Sequence, residues 1–448
     1  MTTTEQVSAD SSGLPRERSR SLTTSALGMI SGKAAAMSLG FAFWLVAARV
    51  APAGDVGLAA GATAAIMLVA LLSTSGLGAA AVVHYHRQGE RPADAVDTAL
   101  ALAGILACAV ALAFLGLAGT LLVEMNVIAV DLPFALLFVL MSVIGSLGVV
   151  IDQVSMAQRR GGDVLIRNVT NGIVTLLVPV LIWLGPLQAS ARVLFAGWVL
   201  GSTSAVIIGW FQMRLTLDGH RTRPRLARST FRPLIATSIA NQALTTAERA
   251  PGLLLPLLVT ELLSPEETAY WYTSWMIAWG VSIVPLSTST ALFAEVCRNP
   301  SDIGRQLRAA VRSSLLIGTA LAAPTFVLAP QVLRLAGADY ADAGATPLRL
   351  LVLGVIPLSA TYPYFAIARS TGRIGEAIAT AAVAAVLGVT CATAAGVMSG
   401  LTSMALAWVS VQALIGLWAT LRLRQLGLNP AVARVAEMSL PRPFDAAG

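Results

Sequence analysis

The densest run of side chains able to hold or neutralise a ligand lies between residues 237 and 249: Thr237, Ser238, Asn241, Gln242, Thr245, Thr246, Glu248 and Arg249. With Asn241 at 0° on a helical wheel and about 100° per residue, Thr237 falls at about −40°, Glu248 at about −20°, Thr245 at about 40°, Arg249 at about 80° and Gln242 at about 100°. Ile239, Ala240, Ala243, Leu244 and Ala247 fill the remaining arc. In a helix that crosses a membrane, such an arc either lines a hydrated cavity or closes into a structural hydrogen-bond network. Its width and its two charges favour the cavity. Glu248 and Arg249 are adjacent, diverge by about 100° and cannot pair along the helix. Each charge costs roughly 2.5–3.5 kcal/mol at the centre of a membrane helix, so each needs a partner. Lys33 is the expected partner of Glu248, which leaves Arg249 as a net positive charge. A guanidinium can grip phosphate oxygens with two parallel hydrogen bonds. A closed cluster of all three charges is the structural alternative.

A weaker polar arc contains Ser142, Gly145, Ser146, Gly148, Asp152 and Gln153, interrupted by Val149. Asp152 is a candidate ligand residue, or a boundary residue close to Arg159 and Arg160. Trp271, Trp275 and Trp279 recur every four residues beside Tyr270 and Tyr272. The outer members suit an aromatic interfacial belt, whereas Trp279 lies about 12 Å deeper. Tyr362-Pro363-Tyr364 is expected to kink its helix. His84-x-His86 has no accompanying carboxylate or cysteine pattern, and the 3 cysteines suggest neither a disulfide framework nor a metal site. There is no P-loop, dinucleotide fingerprint or H-E-x-x-H. The expectation is a protein without catalytic residues, metal or organic cofactor, and with no nucleic-acid partner.

The elements that position these residues follow from composition. The chain has 448 residues, of which 56% are hydrophobic and 12% charged, with a mean hydropathy of +0.75. That excludes an ordinary soluble domain. The expected fold class is all-α, a polytopic membrane protein of about twelve transmembrane helices in two six-helix bundles. The apolar segments run over 24–48, 58–83, 96–123, 132–156, 164–185, 191–213, 232–260, 268–294, 305–330, 345–368, 376–398 and 401–421, each near the ~20 residues a span requires. Five regions follow: a cytoplasmic tail over 1–23, a bundle over 24–213, a basic linker over 214–231, a second bundle over 232–421 and a cytoplasmic tail over 422–448. The polar first 22 residues read as a tail rather than a cleaved leader.

Of the 30 basic residues, 24 fall on one side of this arrangement, Arg167 and Arg369 among them. Four, Arg49, Arg192, Arg334 and Arg349, fall on the other, and Lys33 and Arg249 lie within helices. The positive-inside rule then makes the arginine-rich side cytoplasmic and both termini cytoplasmic. The net charge of +7 reads as contact with anionic membrane lipids.

The two halves are weakly repeated. Matching Pro52 to Pro265 gives an offset of 213 residues, which aligns Lys33 with Thr246, within a turn of Glu248 and Arg249. Gly28-x-x-x-Gly32, Gly57-x-x-x-Gly61 and Gly197-x-x-x-Gly201 allow close packing of helices within one chain. Together, the two six-helix halves, the first-helix ending Ala48-Arg49…Pro52…Gly57, the second-helix ending Ser75-Gly76-Leu77-Gly78 and the basic central loop resemble the polysaccharide or O-antigen flippases. These belong to a superfamily that also holds lipid II flippases and multidrug (MATE) exporters. The resemblance covers roughly residues 24–424. It implies alternating-access transport of an undecaprenyl-diphosphate-linked oligosaccharide across the plasma membrane, in cell-surface polysaccharide biosynthesis. It implies membrane lipids, glycosyltransferases and a polysaccharide polymerase as partners, and a cationic cavity to which Lys33 and Arg249 would contribute. The alternative is a cation-coupled multidrug exporter, in which Glu248 and Asp152 carry the coupling ion, H+ or Na+.

Overall fold

A computed structural model describes residues 31–32, 35–74, 77, 92–158, 160–216, 228–299 and 302–427. Lys33 lies outside them, as do His84, His86, Arg159 and most of the basic linker. The described residues are helical throughout, with no strand, and each of the twelve apolar segments contains a helix. The N-terminal half comprises α1 (Ala35–Val50), α2 (Ala53–Thr74), α3 (Pro92–Leu121), the short α4 (Asn126–Val130), α5 (Leu132–Ala157), α6 (Gly161–Trp183) and α7 (Ala191–Thr216). The C-terminal half comprises α8 (Arg228–Leu262), α9 (Pro265–Arg298), α10 (Ile303–Val327), the short α11 (Ala329–Arg334), α12 (Ala338–Leu353) and α13 (Val355–Ser370). It ends in a helical hairpin, α14 (374–398) and α15 (401–427), broken at Ser399 and at Gly400, whose φ is 78°. Only glycine adopts that left-handed conformation without strain. The arms of the hairpin pack on one another, Gly388 against Trp408 and Gly396 against Met404.

Helix starts follow local chemistry. At α9, the Ser264 side chain accepts from the Glu267 amide at 3.1 Å, with Pro265 in the first turn and Glu266 and Glu267 beside it. The three features together satisfy a free amide, preset the first φ and oppose the helix dipole. Large apolar side chains such as Ile105, Leu112, Leu136, Val386 and Leu414 are exposed. On a membrane protein this is the lipid-facing surface, and tight packing of small residues holds the interior. The Gly57/Gly61 and Gly197/Gly201 pairs serve that packing. A Cβ on Gly57 would lie 1.6 Å from the Pro265 carbonyl oxygen, and one on Gly201 would lie 2.0 Å from Thr175 Oγ1.

The halves meet where α2 and α3 pack on α8 and α9. At the face carrying the Pro52 and Pro265 turns, the contact is close and reciprocal. Arg49 of the first half donates to the carbonyl oxygens of Leu335 and Arg334 at 2.7 and 2.8 Å. Glu261 of the second half accepts from the backbone amides of Val123, Glu124 and Met125. Trp44 and Tyr272 meet edge to face at 5.1 Å between the halves.

The offset of 213 recurs at the opposite, arginine-rich face. Arg160 pairs with Asp163 at 2.6 Å where α6 begins, and Arg373 pairs with Glu376 at 2.6 Å where α14 begins.

Candidate functional site

Glu248 and Arg249 lie on α8, fourteen residues before its end at Leu262, or about 21 Å along the axis. Across a core of ~30 Å they therefore lie on the arginine-rich side of the midplane, about 6 Å from it. Glu248 is largely buried and its Oε1 accepts from Arg369 at 2.8 Å. Lys33, the partner expected for it, lies outside the described residues; the partner found among them is Arg369. Arg369 was expected in a polar connection, but it belongs to the last turn of α13 and turns inward to α8. Its Nε is buried with no hydrogen-bond partner among the described residues. Arg249 is exposed, and no hydrogen bond or ion pair engages it among the described residues. Tyr362, buried on the same helix as Arg369, lies within the field of both Glu248 and Arg249. The cluster of Glu248, Arg249 and Arg369 carries one net positive charge. Its exposed guanidinium is suited to an oxyanion.

The rest of the polar arc divides. The Gln242 side-chain amide donates to the Leu71 carbonyl at 2.8 Å and to Thr246 Oγ1 at 3.0 Å. It therefore ties α8 to α2, a role between the halves. Thr245 is half-buried on the same helix. The Asn241 side chain lies outside the described residues.

Asp152 is engaged elsewhere. Arg167 of α6 is 3% exposed. Its Nη2 donates to Asp152 Oδ1 at 2.6 Å and to Ser155 Oγ at 3.1 Å, and its Nη1 donates to Gln212 Oε1 of α7 at 2.5 Å. Three helices converge on one guanidinium, and Gly209 leaves room for its stem: a Cβ there would come 3.0 Å from Arg167 Cδ. Arg167 was expected on the cytoplasmic side, near the start of the 164–185 segment. It is a buried cation that joins α5, α6 and α7, with Asp152 as its counter-charge. A buried charge costs several kcal/mol unless it is paired and hydrogen-bonded, as this one is.

Two further residues were not singled out from sequence. Glu376 accepts from Arg422 of α15 at 2.7 Å, from Arg373 at 2.8 Å and from Tyr364 at 3.1 Å, so it holds α13, α14 and α15 together. The bend in the tenth span falls at Gly354, where α12 and α13 meet at 42°, rather than at Pro363. No group of three or more His, Cys, Asp or Glu side chains able to hold a metal occurs among the described residues.

The chain's fold is that of known transporters. A multidrug resistance MATE family transporter of the MOP superfamily, in an inward-facing conformation, aligns with a TM-score of 0.68 at 14% identity, over 92% of this chain and 99% of that one. The lipid II flippase MurJ, in an inward closed conformation, aligns with a TM-score of 0.70 at 11% identity, over 92% and 90%. A MOP superfamily transporter from Pyrococcus furiosus, described as having a binding pocket of reversed polarity, aligns with a TM-score of 0.65 at 15% identity, over 93% and 96%. No protein-family model and no curated protein matches the sequence.

Proposed function

We propose that this chain is a membrane transporter of the alternating-access type that moves an anionic, lipid-linked oligosaccharide, a polyprenyl-diphosphate glycan, across the plasma membrane. Its termini and arginine-rich face would be cytoplasmic, and its work would serve cell-surface polysaccharide synthesis. Glycosyltransferases that build the glycan and a polymerase that consumes it would be its partners. The observation that carries the reading is Arg249: an exposed guanidinium beside an ion pair, on a helix at the junction of the halves. Likeness of fold embraces both drug exporters and a lipid flippase, so the charge of the site has to choose between them. Glu248 and Asp152, the carboxylates a cation-coupled exporter would use, each face an arginine at 2.8 and 2.6 Å. A coupling role for either carboxylate would require its arginine to let go, and the net charge of the α8 cluster favours an anion.

The test uses the full chain in proteoliposomes, with a short-chain polyprenyl-diphosphate-linked sugar as the probe. An uncharged polyprenol and a lipophilic cation dye serve as comparators. Arg249→Ala should abolish movement of the diphosphate probe at equal protein level. Arg249→Lys should restore part of it, because an ammonium lacks the planar fork. Wild-type movement of the probe by Arg249→Ala would refute the anion site. Ion-driven movement of the dye would establish the exporter instead.

A further inference from the structure

We propose that α10 carries a dedicated binding line for an acidic phospholipid on the arginine-rich side of the membrane, formed by Arg305, Arg308 and Arg312. All three are exposed. With Arg305 at 0° and about 100° per residue, Arg308 falls at about −60°, Arg312 at about −20° and Leu316 at about 20°. The buried residues of α10, Ile303, Leu307, Ser314, Gly318 and Ala322, fall between about 160° and 260°. That opposite side is packed on α13: Ser314 bonds Ser359 at 2.8 Å, and a Cβ on Gly318 would strike Val355 at 2.7 Å. The arginine line therefore points away from the protein.

Its depth selects the partner. Val327 closes α10 at the other face. Arg308 lies about 28 Å from Val327 along the axis and Arg312 about 22 Å. Against a hydrocarbon core of ~30 Å, Arg308 sits at the boundary and Arg312 about 8 Å within it. Charged heads at that depth reach back along their stems to the phosphate layer. The nearby carboxylates are taken, Asp302 by Arg305 at 2.7 Å and Glu295 by Arg298 at 3.2 Å. Among the described residues, Arg308 and Arg312 have no ion pair. Further along the same line, Leu316, Thr319, Ala323 and Val327 are exposed. Guanidinium groups followed by an uncharged, mainly apolar strip match a phosphate headgroup followed by its acyl chains. An acidic headgroup supplies the net negative charge that a zwitterionic one lacks.

The experiment places the full chain in nanodiscs of equal phosphatidylglycerol and phosphatidylcholine and counts retained lipids by native mass spectrometry. Wild-type protein should retain phosphatidylglycerol preferentially. Arg308→Gln with Arg312→Gln should lower that enrichment by about fivefold or more. Arg308→Lys with Arg312→Lys should fall in between. Arg214→Gln with Arg424→Gln removes two exposed charges away from the line and should leave the enrichment intact, with monodisperse elution as the check on folding. The proposal is overturned if the glutamine pair keeps the enrichment, or if the control pair loses as much. Preferential retention of an added polyprenyl diphosphate over phosphatidylglycerol would also overturn the phospholipid assignment.

Discussion

Removing Arg369 would strand Glu248 in a largely buried position, because the only ion pair of that carboxylate among the described residues is the 2.8 Å contact to Arg369. Arg369→Ala should cost roughly 1–3 kcal/mol, the penalty of an unsatisfied buried polar group. The double change Arg369→Ala with Glu248→Ala should recover much of it. Thermal unfolding in detergent measures all three variants, and additive losses in the double variant would show that the pair does not couple. The same logic accounts for arginines on the sparsely charged face. Arg192 meets Asp131 at 2.8 Å, and Arg349 donates to the Phe326 carbonyl at 3.1 Å and lies over its ring at 5.8 Å. Arg49 spends its donors on two carbonyl groups of the other half.

At the scale of elements, the junction of α2 with α9 is the tightest approach of the two halves, and glycine makes it achievable. No other residue fits at Gly57, where any Cβ meets the Pro265 carbonyl. At Gly54, a Cβ would come 2.9 Å from Glu266 Oε1. If transport requires the halves to separate at this face, a bond across it should stop the cycle. With Cys108, Cys297 and Cys391, all free thiols, replaced by serine, the pair Gly54→Cys and Glu266→Cys should cross-link on mild oxidation. Transport should cease and return on reduction. Wild-type rates in fully cross-linked protein would mean that α2 and α9 stay together throughout transport.

For the whole molecule, the structure gathers the turns near Pro52, Pro265, Leu187 and Leu335 on one face and the arginine-bearing connections on the other. The charge bias predicts that the second face is cytoplasmic. In the same cysteine-free background, Leu187→Cys should react with a membrane-impermeant maleimide in intact cells, and Asn299→Cys should react only after permeabilisation. Both positions are exposed, so burial does not confound the comparison, and the reverse pattern would invert the orientation.

The sequence alone determined the helices, down to the break at Ser399-Gly400 between the last two. In a bilayer every backbone group must bond within its own segment, so about 20 consecutive apolar residues suffice to specify a span. The 213-residue offset was read from the Pro52 and Pro265 turns, and the Arg160–Asp163 and Arg373–Glu376 pairs, each formed within one helical turn, share it. The charge partners were not legible. Glu248 finds Arg369 across 121 positions, and Asp152 finds Arg167 on the following helix. Both arginines stand near helix ends, where the long side chain can extend to water or turn inward at similar local cost. Which direction it takes depends on the helix packed beside it. Only the tertiary arrangement decides that, and with it which carboxylates are neutralised and which guanidinium remains exposed.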